Sequence, residues 1–208
     1  MTFGNTEPDI ALWDERGLMM KKWASIIVCL VCFLVLLAGS VTVVRQSSSL
    51  EFAFDNRGQY TGFNSIPSRY TPEMAQNAGY YVMSDSEVVA NGGLWDDFLA
   101  ASSQGKNTSL RMAKFYSEYG NSPFFADLFY NEGYYYLFDS SAKDLSGRPF
   151  KHLLTLKGKF GNPLRDSGVV VLANDNSLTF DLIMSGMVSS NLEYIKSIPE
   201  YQLIMFLI

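Results

Sequence analysis

The sequence predicts an α+β protein: a single N-terminal transmembrane helix followed by a small domain with an antiparallel meander sheet covered by about three helices. Three observations carry this. Residues 23–44 contain no charged side chain, and at about 1.5 Å per residue a helix of that length spans roughly 33 Å, enough to cross a bilayer core. From residue 110 onward, short runs rich in aromatic and β-branched residues alternate with clusters of Gly, Asn, Ser and Pro, the pattern of strands joined by tight turns. Three further stretches carry helix-boundary residues or apolar side chains at helical spacing.

The flanks orient the apolar segment. Lys21 and Lys22 abut its N-terminal end, with Arg16 nearby, against Arg45 alone at the other end. The positive-inside bias therefore makes residues 1–22 a cytoplasmic tail and exports the chain from residue 45. Met20 to Ser40 also has the build of a bacterial export signal: a Lys-Lys start, an apolar middle and small residues at Ala38, Gly39 and Ser40. In that case residues 1–19, an acidic stretch, precede a true start at Met20. Leu37-Ala38-Gly39-Ser40 is similar to a lipoprotein cleavage box, with Ser40 in place of the lipidated Cys. Three outcomes stay open: an uncleaved anchor, release by cleavage near Ser40, and a lipoprotein relative without its lipid. Val41, Val43 and Val44 prolong the apolar run past the small residues and favour the anchor.

Both cysteines, Cys29 and Cys32, fall inside the apolar run, where two thiols without His or acidic neighbours are packing or lipid-facing residues. The exported part has no cysteine and must be stable by core burial alone. Residues 45–208 hold thirteen basic and seventeen acidic side chains with no basic run, which argues against nucleic acid as a partner. No motif calls for a cofactor.

Residues 45–69 read as a polar stalk (Arg45 to Ser49) and an irregular lead-in, with turn signals at Asp55-Asn56-Arg57-Gly58 and Ile66-Pro67. The domain proper is expected over 70–208. Thr71-Pro72-Glu73 supplies an N-cap and a first-turn proline, and Gly79 a stop. Tyr80 to Met83 is a short strand. Leu94, Trp95, Phe98 and Leu99 recur at helical spacing between Gly92-Gly93 and Gly105. Leu110 to Tyr116, Phe124 to Tyr130, Tyr134 to Phe138, Phe150 to Leu156 and Val169 to Ala173 form the meander. Asp175-Asn176-Ser177 offers caps to a third helix, on which Phe180, Ile183, Met184, Met187 and Val188 make one stripe; Gly186 within it implies a close helix–sheet contact. Tyr201 to Ile208, apolar except at Gln202, reads as a final buried strand.

The succession Tyr70-Thr-Pro-Glu73, Gly79, Trp95-x-x-Phe98, Ser109-Leu-Arg111, Asp127-Leu-x-Tyr130, Tyr134-Tyr-Tyr136, Phe150-Lys-His-Leu153 and Leu172-Ala-Asn-Asp175 resembles small extracytoplasmic domains of Gram-positive bacteria, many of which follow a lipoprotein signal. The resemblance covers about residues 70–190. It implies an envelope location and no particular activity, since none is assigned to those domains.

Candidate chemistry is sparse. His152, the single histidine, falls mid-strand with no orienting carboxylate in sequence. Ser140-x-x-Lys143 has the spacing of a Ser–Lys pair but lies in a loop without the accompanying motifs. Asp96-Asp97 suits the first turn of a helix, and Asp85 and Glu87 lack a visible opposing acid. Asn174-Asp175-Asn176 lacks the ligand spacing of a calcium loop, and the Asn107 sequon matters only in a eukaryotic secretory host.

The strongest anomaly is aromatic: ten rings between Tyr116 and Phe138. If Asn131-Glu132-Gly133 is a three-residue turn, Tyr130 faces Tyr134, and Leu128/Tyr136 and Ala126/Phe138 share an uncharged core side. The other side then carries Phe125, Asp127, Phe129, Tyr135 and Asp139, a candidate stacking surface of flat rings and carboxylates for a sugar or peptide. The alternative is that these rings pack under a helix or loop. The sequence thus points to a membrane-anchored, extracytoplasmic, non-enzymatic envelope module, with the membrane and a cell-wall glycan or envelope protein as partners. A wall-acting hydrolase or transferase using carboxylates is one alternative, and a domain secreted by cleavage near Ser40 is another.

Overall fold

The computed structural model describes residues 50–207 apart from Ser68 and Asn121; the apolar segment 23–44, Cys29, Cys32, Ser40 and residues 45–49 lie outside the described residues. Within them the fold is α+β with two sheets, and no helix is long and apolar enough to cross a membrane. Residues 50–70 are irregular, as expected. Asp55 Oδ1 accepts the N–H groups of Arg57 and Gln59 at 2.8 and 2.9 Å, closing a turn that bridges Phe54 to Tyr60. The segment nevertheless packs as part of the domain, because Phe52, Tyr60 and Phe63 cluster with Phe129 and Phe138. The boundary expected at residue 70 therefore falls inside the packed structure.

Helix α1 (Pro72–Asn77) begins as its sequence predicts: Thr71 Oγ1 accepts the Met74 N–H at 3.2 Å, and Gly79 follows at φ 77°. Strand β1 (Tyr81–Ser84) turns into β2 (Glu87–Ala90) through Asp85 and Ser86, both at positive φ. Helix α2 (Gly93–Ser103) crosses over to β3 (Thr108–Phe115), which runs parallel to β1. A parallel pair requires such a crossover, so the sheet is mixed where a meander was expected. β4 (Pro123–Asn131) and β5 (Tyr134–Asp139) complete the order β2-β1-β3-β4-β5.

The remaining strands form a second, antiparallel sheet, β6 (His152–Phe160), β7 (Arg165–Ala173) and β8 (Tyr201–Leu207), in that spatial order. Phe150 joins the two sheets by exchanging backbone hydrogen bonds with Tyr135 at 2.8 and 2.9 Å. Helix α3 (Phe180–Val188) is capped by Thr179, whose Oγ1 accepts the Leu182 N–H, and not by the Asp175-Asn176-Ser177 run. Asp175 instead accepts the Ser177 N–H in a tight turn. A short α4 (Leu192–Ser197), capped by Asn191, leads into β8. The terminal strand is buried at Ile204 and Met205, as expected.

Alternation along the strands explains the layering. Leu110, Met112, Ala126, Leu128 and Leu137 point inward, where they meet Phe98 of α2 and Val170, Leu172 and Ile204 of the second sheet. On the far side of that sheet, Val169, Val171 and Ala173 pack under Phe180, Ile183 and Met184 of α3. On the outer face of the first sheet, Val82, Ala113, Phe115 and Phe125 are covered by α1 and by Phe63, Ile66 and Tyr70. The helices expected on one face are thus spread over three surfaces. Met187 and Val188 extend past the sheet and are exposed, unlike the rest of their stripe. A methyl group at Gly186 would meet Ile198 at the end of α4, whereas the close helix–sheet contact is at Gly158 of β6, over which the Phe180 ring lies.

Candidate functional site

The β4–β5 hairpin decides the fate of the aromatic run. Glu132 and Gly133 both adopt positive φ, 49° and 89°, making a two-residue turn of the type that matches strand twist. Asn131 therefore faces Tyr134 and Tyr130 faces Tyr135, one residue away from the register expected of a three-residue turn. A slip of one sends every β5 side chain to the opposite face. Tyr136 and Phe138 join Asp127 and Phe129 outside, while Tyr135, Leu137 and Asp139 turn inward with Ala126 and Leu128.

The predicted stacking surface consequently does not exist as one surface. Phe125, Asp127 and Phe129 are buried on the outer face, Phe125 under Tyr70 and Tyr80 and Phe129 under Phe52 and Tyr60. Tyr135 packs on the other side, 4.8 Å from the Tyr130 ring. Asp139 lines a cavity beside the loop after β5.

Asp127 instead anchors a buried clasp. It faces Arg111 across β3 and β4, accepting from Arg111 Nε at 2.7 Å and Nη2 at 2.5 Å, and takes the Tyr60 hydroxyl at 2.7 Å. Arg111 Nη2 also donates to Gly62 O at 2.7 Å, and its guanidinium lies 5.5 Å from the Tyr80 ring centre and 5.6 Å from that of Phe63. Burial works against the guanidinium charge, but the hydrogen bonds and charge of Asp127 outweigh it and hold Arg111 above its ordinary pKa. Burial, reinforced by the Asp127 charge, pushes the Tyr60 phenol well up, so it stays a donor. These bonds pin Tyr60 and Gly62 to the sheet. Losing one partner of such a pair costs about 3–5 kcal/mol. Tyr60 and Arg111 also line a cavity of about 270 Å³ with Leu50, Glu51 and Ser65.

A second cavity of similar volume lies between the loop after β5 and the start of β8. Leu137, Phe138 and Phe150 form its floor, all buried, and Asp139, Asp144, Arg148, Glu200, Tyr201 and Gln202 form its wall and rim, around a volume of about 270 Å³. Local hydrogen bonds hold the rim in place. Asp139 Oδ1 accepts from Ser141 N at 2.8 Å and Ser141 Oγ at 2.6 Å, Asp144 Oδ1 from Ser146 N at 3.0 Å, and Glu200 pairs with Arg148. Gln202 Nε2 donates to Leu137 O at 3.1 Å, tying β8 to β5 across the floor. The Ser146 hydrogen bonds hold Asp144 below the usual carboxylate pKa, so it is an acceptor and not a proton donor near neutrality.

Of the other sequence candidates, Ser140 gives its hydroxyl oxygen to the Phe125 N–H at 2.9 Å, and neither Ser140, Lys143 nor His152 lines the cleft. Asp85 accepts from Ser117 N at 2.9 Å, and Asn174 ties Lys151 N to its side-chain oxygen. Asn107 Oδ1 caps the hairpin turn at Glu132 N. Sequence reasoning missed the cleft because its rim comes from two stretches 50 or more residues apart, Asp139–Phe150 and Glu200–Gln202. Its one local sign is the turn-rich run from Asp139 to Pro149, which breaks the strand pattern. Comparison with protein-family models, curated proteins and solved structures finds no match to this chain.

Proposed function

We propose that this chain is a single-pass, N-in membrane protein, anchored by residues 23–44, whose extracytoplasmic domain binds one polar unit of an envelope polymer without chemical turnover. The observation that carries the binding role is the cleft at Asp139, Asp144, Glu200 and Gln202. Its volume suits a single sugar or an amine-bearing side chain, and carboxylates and an amide around Tyr201 are the groups that accept and donate to hydroxyls while a ring takes an apolar face. Three acids against one arginine favour a neutral or cationic unit. The resemblance to envelope domains of Gram-positive bacteria agrees with this setting.

A carboxylate-dependent hydrolase is the second reading, favoured by the same three acids. Glycoside hydrolysis needs one carboxyl held protonated by an apolar site, and Asp144 is shifted in the opposite direction. The test is retention of the detergent-solubilised full chain on purified wall glycan. Glu200→Gln with Tyr201→Ala should weaken retention by about tenfold or more, the loss expected for a hydrogen bond to a charged group, with the fold unchanged by circular dichroism. Equal retention of parent and variant contradicts the binding role, and release of soluble fragments by the parent replaces it with hydrolysis.

A further inference from the structure

We propose that the tip of the β6–β7 hairpin is a finger that seats on an anionic phospholipid surface. The two strands stay paired out to Phe160 opposite Arg165, beyond Gly168, the last buried residue of β7 toward the tip, and residues 159–166 are all exposed. Phe160 is 41% and Leu164 68% exposed. Two large apolar side chains, one at the end of β6 and one in the four-residue loop after it, gain nothing from water, and the boundary between headgroups and acyl chains is where such groups are stable.

Charge selects the surface. Lys157, Lys159 and Arg165 flank the tip, with Asp166 as the one acid among them, in an exported part that is acidic overall. Lys159 and Asp166 approach to 3.5 Å, but both are largely solvated, so the pair neither buries nor fixes the lysine. A basic collar around an apolar tip complements phosphate headgroups above hydrocarbon, and it repels a basic protein surface. Lys157 and Lys159 project from one face of the hairpin and Arg165 from the other, as strand alternation requires, so the collar surrounds the tip on both sides.

This inference rests on the reading that residues 23–44 cross the bilayer. Five residues, 45–49, separate that segment from Leu50, a contour of at most about 17 Å. The experiment places Phe160→Trp in the full chain, reconstituted into vesicles of phosphatidylglycerol or phosphatidylcholine with or without brominated acyl chains. After subtraction of the parent, bromine should quench the added indole by about half in phosphatidylglycerol and much less in phosphatidylcholine, and Lys157→Glu, Lys159→Glu and Arg165→Glu together should abolish the quenching. An added indole equally bright with and without bromine in phosphatidylglycerol overturns the finger, as does quenching indifferent to the lipid charge or to the three substitutions. Alkaline carbonate extraction of the same vesicles reads the anchor separately: extraction with quenching intact removes the anchor alone, and retention without quenching removes the finger alone.

Discussion

Arg111 and Lys114 are cations on opposite faces of β3, and the sheet treats them differently. Arg111 has a carboxylate directly across the ladder. Lys114 points inward between the sheets, and its Nζ donates to the Ile204 carbonyl at 2.6 Å. Burial lowers its pKa below the ordinary 10.5, partly opposed by the charge of Asp139 on β5. Between the lowered folded value and 10.5 the unfolded chain holds more protons at this lysine than the folded one, so stability rises with pH through that window. Lys114→Met removes the titrating ammonium. In denaturant titrations the parent should gain on the variant as pH rises toward about 10.5; parallel curves would mean that the ammonium stays hydrated when folded.

At the scale of elements, the two-residue hairpin turn gives the most direct energetic consequence. Phe129 and Phe138 are 3% and 1% exposed and share one cluster under Phe52 and Tyr60. Phe129→Ala and Phe138→Ala should therefore each cost about 3–5 kcal/mol, measured by chemical denaturation; a much cheaper Phe129→Ala would restore the open face that the three-residue turn implies. Elements with local punctuation were legible in the sequence. Thr71, Pro72 and Gly79 bound α1, Leu94, Trp95 and Phe98 mark α2, and the run from Tyr201 marks β8. What escaped was set by distant partners or by unusual turn residues. β2 follows a turn of Asp85 and Ser86, which carries no glycine or asparagine signal, and the parallel pairing of β1 with β3 is invisible to periodicity. The hairpin register hung on whether Asn131 belonged to the turn or the strand. The cleft escaped for the same reason as the clasp, since Glu200 meets Arg148, and Tyr60 meets Asp127, only after the chain has folded.

For the molecule as a whole, the described residues are held to the sheet from Leu50, whose N–H is bound by Ser109 Oγ at 3.1 Å. The lead-in is fastened again at Tyr60 to Asp127 and at Gln59 Oε1, which accepts the Leu145 N–H. The proposed anchor at residues 23–44 would set the described domain outside the membrane. The proposed cleft and hairpin tip both depend on that placement for their partners. The decisive measurement is external proteolysis of intact, wall-stripped cells carrying an epitope after Ile208, followed by membrane fractionation and N-terminal analysis. The epitope should be digested from outside, and undigested chain should pellet with the membrane with residues 23–44 intact; a protected epitope, or a soluble chain beginning at Val41, would overturn the anchored topology.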